Sequence, residues 1–212
     1  MNFKITDYST CFWDFDGVIK ESVDIKTDSY FPLFKNFGLD VAEKVKKHHL
    51  SHGGMSRFDK FPVYLSWAGI EPTENSIKSF CNEFSQLVVQ RVIDSPWVKG
   101  AEEFIVNNKY NQSNILVSAT PQDELEYIID ALSLTKSFLK IYGSPLSKSK
   151  ALFQTMQNLN LKASECLMIG DAKIDLDAAI TNQISFLLRK HAGNSLIFNS
   201  YNGPHFEDFY EL

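Results

Sequence analysis

The chain is short of cysteine, of positive charge and of long apolar runs. Its three cysteines, Cys11, Cys81 and Cys166, are odd in number and far apart, which excludes a disulfide framework and fits a reducing compartment. Twenty-one Lys and Arg against 26 Asp and Glu leave a formal charge of −5. No overall cationic field exists to hold nucleic acid or an anionic membrane. No apolar run approaches the roughly 18 residues that span a bilayer. The opening MNFKITDYST lacks the apolar segment of a secretion signal. Internal repeats and low-complexity segments are also missing. Collagen, coiled coil, membrane protein and secreted mini-protein are excluded. The expectation is a cytoplasmic protein, a monomer or weak dimer, with no nucleic-acid or membrane partner.

What is present is an ordinary globular composition, 44% apolar and 22% charged over 212 residues. That length is about one and a half typical domains and can bury a sizeable core. TCFWDFD, residues 10–16, reads as a buried strand stopping at Gly17. Helical spacing then dominates residues 20–95. Ile25, Leu33, Phe34 and Phe37 mark one helix and Val41, Val45 and His49 a second; Ser56 caps a third, and a fourth opens at Pro72-Thr73. Beyond Trp97 the pattern changes. Strands are predicted over 114–119, 138–142, 166–170 and 184–188, with helices from Pro121, over 148–159 and over 174–180. Strands alternating with helices mean a parallel sheet covered on both faces. The helical block interrupts that alternation after the first strand. The predicted architecture is α/β: a core of residues 1–19 and 96–212 with an inserted all-helical domain, residues 20–95. Residues from His191 onward have no clear element.

In open parallel sheets ligands bind outside the carboxyl ends of the strands. The first strand ends in Asp14-Phe15-Asp16-Gly17 and the second in Ser118-Ala119-Thr120. The third is followed by Gly143-Ser144-Pro145 and then Lys148 and Lys150; the fourth ends in Gly170-Asp171, with Asp175 four residues later. Side chains two apart on a strand point the same way, so Asp14 and Asp16 are expected on one side with Asp171. Oxygen-only ligands that leave room for water and a phosphate oxygen suit Mg²⁺. A hydroxyl (Ser118) and an ammonium can hold the equatorial oxygens of a transferring phosphoryl group. Taken alone, Ser118 is a turn serine and Lys148 a solvated helix start; position gives them a functional reading. His48 and His52 lack further ligands and read as packing. Lys44, Lys46 and Lys47 read as a solvated face, the cysteines as core, and Phe31, Phe34, Phe37, Phe58 and Phe61 as the interior of the helical block.

Together WDFDGV, LVSAT, GSPLSKSK and MIGDAKID resemble the four motifs of the haloacid dehalogenase superfamily, over nearly the whole chain. The resemblance implies a Rossmann-like core whose cap is inserted between motifs one and two, as in the phosphoglycolate phosphatase and β-phosphoglucomutase branch. It implies that Asp14 is a nucleophile forming an aspartyl-phosphate. Asp16 would be the general acid/base and would bind Mg²⁺ through its backbone carbonyl. Ser118 would be a phosphate ligand, Asp171 a metal ligand and Asp175 a support of the metal shell. Lys148 is the choice for the phosphate-binding lysine, with Lys150 its rival. Gly17, Ala119 and Thr120 complete the predicted phosphate and substrate contacts. An aspartate two residues after the nucleophile favours phosphate monoesters over C–halogen or C–P cleavage. The expected activity is Mg²⁺-dependent hydrolysis of a small phosphoester such as phosphoglycolate or a sugar phosphate. The alternatives are a phosphomutase and a non-catalytic binding protein on the same fold. Selection among leaving groups is expected in HGGMSRFDKF, through Arg57 and Lys60. Gly53 and Gly54 there permit close approach, and Arg57 is suited to gripping a carboxylate or phosphate.

Overall fold

The computed structural model describes residues 3–212. Six parallel strands, β1 (Thr10–Trp13), β2 (Ser113–Pro121), β3 (Lys140–Ser144), β4 (Cys166–Gly170), β5 (Ser185–Arg189) and β6 (His205–Phe206), form one sheet in the order β3-β2-β1-β4-β5-β6. The central strand β1 is buried at every position, as a strand covered on both faces must be. Its side chains alternate between two cores. Phe12 joins Ile115 and Met168 on one face, while Cys11 and Trp13 join Leu116, Leu167 and Ile169 on the other. The register follows the same logic, pairing Phe12 with both Ile115 and Met168.

β1 is followed by four helices in succession: α1 (Val23–Phe34), α2 (Leu39–Ser51), α3 (Arg57–Trp67) and α4 (Glu74–Asp94). The inserted helical block of the sequence reading is therefore present. Its two ends lie side by side: Lys20 bridges Trp97, Glu21 donates to the Pro96 carbonyl at 2.9 Å, and Val98 donates to Ile19 at 3.0 Å. The block closes on an aromatic interior of Tyr30, Phe34, Phe61, Tyr64 and Phe84, with Tyr30 and Phe84 ring centroids 4.3 Å apart. Phe37 and Phe58 depart from the expectation. Both are exposed, because Phe37 lies in a single-turn helix before Gly38 and Phe58 sits on the solvent side of the first turn of α3. The predicted caps hold: Ser56 accepts from the Phe58 N–H at 3.3 Å and Thr73 from Ser76 at 3.2 Å.

After the block, α5 (Ala101–Asn107), absent from the sequence reading, precedes β2; α6 (Gln122–Ala131), α7 (Lys148–Asn158) and α8 (Lys173–Thr181) follow β2, β3 and β4. No helix among the described residues is long and apolar enough to cross a membrane. The unplaced tail returns to the sheet as β6, and its Phe209 ring stacks on Trp13 with centroids 5.8 Å apart. Phe209 also touches Phe104 of α5 and is 4% exposed. Burial of a large aromatic ring on the central strand makes the tail part of the core. Truncating such a ring leaves a cavity and costs about 3–5 kcal/mol. Phe209→Ala should therefore lower the urea midpoint sharply, and an unchanged midpoint would refute the packing role.

Candidate active site

The carboxyl ends of β1, β2 and β4 converge, as the topology requires. β1 ends at Trp13, so Asp14 to Asp16 lie in a turn rather than on the strand. The alternation expected of a strand does not extend to them, and the two carboxylates part. Asp14 turns toward β4. Its Oδ1 accepts from the Phe15 N–H at 2.7 Å, and its Oδ2 lies 2.7 Å from Lys148 Nζ. Asp16 turns toward α1, where Lys26 Nζ lies 2.5 Å away and Ser22 Oγ donates at 2.6 Å. Both still line one cleft with Asp171, but they have different partners there, and Asp16 stands outside the tight acidic cluster.

The acidic cluster instead contains Asp14, Asp171 and Asp175, all buried, with ligand oxygens within 4.8 Å of one another. Lys148, 3% exposed at the start of α7, lies 2.5 Å from Asp175 and neutralises part of this charge. Its rival Lys150 is exposed farther along the first turn of the helix and lies outside the cluster. Asp175 Oδ2 also accepts from the Ala172 N–H at 3.1 Å, which secures the turn leading into α8. Gly17, at φ +76°, brings the backbone against Asp171, where any Cβ would collide with the carboxylate. Burial, and the neighbouring Asp175 charge, push the Asp14 carboxyl up to about 7 against the pull of Lys148. Burial likewise raises Asp171 and Asp175. Asp16 behaves oppositely. Burial would raise it, but Lys26 and the hydrogen bonds from Lys26 and Ser22 hold its carboxyl below the ordinary value. Three crowded carboxylates sharing one ammonium carry excess negative charge, and their oxygen-only donor set fits Mg²⁺.

Thr120 lines the cleft with Ala119, and its Oγ1 accepts from Lys26 at 2.8 Å. Ser118 lies beneath, 1% exposed, donating to Thr120 Oγ1 at 3.2 Å and outside the cleft lining. Above the cluster the helical block roofs a cleft of about 90 Å³, bounded by Lys26, Tyr30, His49, Met55, Arg57 and Lys60 as well as Gly53 and Gly54. Gly54, at φ +75°, lets this loop touch Ala172 and Ile174 beside the cluster. Ser56 Oγ meets Ser144 Oγ at 2.5 Å.

Arg57 and Lys60 both reach the cleft, yet neither is the solvated charge of a flexible loop. Arg57 is 5% exposed and grips Glu124 of α6 through both guanidinium ends, at 2.9 and 2.7 Å, with Ser85 at 2.8 Å. Lys60 is 1% exposed and meets His49 Nδ1 at 2.9 Å. Sequence reasoning missed Lys26, His49, Glu124 and His191. His191 Nε2 lies 3.0 Å from Asp171 Oδ2, and Asn194 donates to the Asp171 carbonyl at 2.9 Å. The strand-end rule that singled out the first four segments, extended to the fifth strand, points to His191. Glu124 sits in the first turn of α6, where an acid is explained by the helix dipole alone, so nothing pointed to Arg57.

Breaking a buried ion pair by removing one partner costs about 3–5 kcal/mol, whereas an apolar replacement of both is often neutral. Glu124→Ala should lose stability on that scale in chemical denaturation, and Arg57→Met with Glu124→Leu should recover most of it. Equal midpoints for wild type and Glu124→Ala would show that the pair contributes nothing.

The comparisons with known proteins agree with this geometry. Residues 11–188 match the family model of haloacid dehalogenase-like hydrolases. No curated protein matches the sequence. A predicted phosphoglycolate phosphatase from Haemophilus somnus superposes with a TM-score of 0.74 at 18% identity, over 98% of this chain and 97% of that one. A β-phosphoglucomutase from Clostridium difficile gives 0.75 at 16% identity, over 97% and 93%. A CbbY variant from Rhodobacter sphaeroides, in complex with xylulose-(1,5)bisphosphate, gives 0.74 at 12% identity, over 97% and 96%. At these identities the likeness is one of fold. The family model runs from β1 to β5 and takes in all four site segments, and the chain belongs to the haloacid dehalogenase-like hydrolases.

Proposed function

We propose that the protein is a Mg²⁺-dependent phosphatase acting on a small phosphorylated metabolite, with residues 20–95 as a cap over the site. The observation that carries this reading is the joint placement of Asp14, Lys148, Asp171 and Asp175 at one strand edge, beneath a small roofed cleft. Asp14 Oδ2 is the attacking atom. It forms a bond to phosphorus while the ester oxygen leaves with its electron pair, giving an aspartyl-phosphate, and water then cleaves that acyl phosphate to release phosphate and free Asp14. Splitting hydrolysis in this way turns one hard step into two easier ones.

Lys148 and Thr120, which border the cleft, are assigned to hold phosphoryl oxygens. Ser118, turned inward, is assigned to fixing Thr120 rather than to direct contact. Asp14, Asp171 and the Asp16 carbonyl would hold Mg²⁺, with Asp175 orienting Lys148. When bound, the ion supplies charge neutralisation at the phosphoryl group. Asp16 is assigned as the acid and base, protonating the leaving oxygen and then taking a proton from water. Its contact with Lys26 must open for that, because an ion-paired carboxylate does not donate a proton.

Two substitutions and a metal exchange test the proposal. Asp14→Asn should abolish phosphate release while leaving the melting temperature equal or higher, since it removes a charge from a crowded cluster. Asp16→Asn should lower kcat by about 10²–10⁴-fold, the usual weight of general acid/base catalysis. A phosphoester panel with added Mg²⁺ reads both. Wild-type turnover by Asp14→Asn would sink the covalent route, and an isomer in place of free phosphate would make the protein a mutase. Ca²⁺, with more ligands and looser geometry, should inhibit; equal rates with either ion after chelator treatment would contradict the proposed metal site.

A further inference from the structure

The cationic groups around the cleft are not equivalent. Lys148 is paired with Asp14 and Asp175, Lys26 with Asp16, and Arg57 with Glu124. Arg57 also lies over the Phe84 ring, 4.6 Å from its centroid. Each of these charges is balanced within the protein. Lys60 is not. It is 1% exposed, it forms no ion pair among the described residues, and its one hydrogen-bond partner there is His49 Nδ1 at 2.9 Å. His49 packs against Tyr30, ring centroids 4.6 Å apart. Burial and the nearby lysines hold His49 well below its ordinary value, so it is neutral and accepts from Lys60. The neighbours of Lys60 make its position worse. Burial, then Lys26 and Arg57, push its ammonium down to about 7, against a smaller opposite pull from Asp16, which is itself paired with Lys26.

A buried ammonium without a counter-charge is costly, and one partnered only by a neutral imidazole gains little back. A purely structural lysine would find a carboxylate or reach solvent, and Lys60 does neither. It borders the same cleft as Asp14, on the roof side, where the group leaving from phosphorus must lie. Resting on the phosphatase reading above, we infer that Lys60, aimed by His49, is the subsite for a second anionic group on the substrate, a carboxylate or a phosphate carried by the leaving portion. That group completes the charge balance of the roof. Arg57, which the sequence marked first, is already committed to Glu124 and serves to hold the roof to α6.

The test uses the full chain with Mg²⁺ and matched pairs of esters. Phosphoglycolate is set against hydroxyethyl phosphate, and a hexose bisphosphate against the corresponding hexose monophosphate. The doubly charged member of at least one pair should be preferred in kcat/KM by about tenfold or more, the usual weight of a hydrogen bond to a charged group. Preference in the first pair identifies a carboxylate, in the second a phosphate. Lys60→Met should collapse that preference mainly through KM, and Lys60→Arg should restore part of it. A wild-type ratio near one in both pairs, or a preference that survives Lys60→Met, would overturn the inference. Phosphate release from none of these esters and from no wider panel would instead remove the phosphatase reading. In that case calorimetry of the same compounds with Asp14→Asn decides the subsite, since equal affinities within both pairs would overturn it. Should Lys60→Met fail to fold, Lys60→Gln and the wild-type ratios decide in its place.

Discussion

The structure is organised by negative charge held where water cannot screen it. Three carboxylates, Asp14, Asp171 and Asp175, lie buried at the carboxyl edge of the sheet with one ammonium among them. Coulomb repulsion is far stronger there than in water. Such an arrangement persists only because the fold dictates each position separately. Asp14 is placed by the end of β1, Asp171 by the end of β4, Asp175 by the first turn of α8, and Lys148 by the start of α7. The aromatic stack of Trp13 and Phe209 and the two-faced core around β1 supply the packing that holds these termini together.

The roof answers the floor in opposite sign. Lys26, Arg57 and Lys60 all border the cleft from the helical side. Their partners come from different parts of the chain. Asp16 follows β1 and Glu124 opens α6, so two of the three charges tie the helical block to the sheet. The Ser56–Ser144 contact and the close approach of Gly54 to Ile174 and Ala172 reinforce the same closure. Closure and charge balance are therefore one problem.

Asp16 shows how local geometry overrides pattern. Two aspartates separated by one residue share a face only while the backbone remains extended. Here the strand stops at Trp13, and the turn through Gly17 sends the second carboxylate to Lys26 and Ser22. One of the pair has its carboxyl raised and the other lowered. This is the separation of environments that lets two like groups take different roles.

Local pattern determined the parallel strands, the helical insertion and the motif aspartates, because alternation, helical period and strand-end position are properties of neighbouring residues. It also placed Arg57 and Lys60 in the loop and helix that roof the cleft. Pairing was decided only in three dimensions. Which lysine meets Asp14, which acid meets Arg57, that His191 abuts Asp171, and that the tail beyond His191 returns to β5 and Trp13 all depend on contacts between segments far apart in sequence. No local pattern encodes such contacts. Charge balance in a buried site is a sum over every group the fold brings within reach, and that sum exists only once the chain has closed around it.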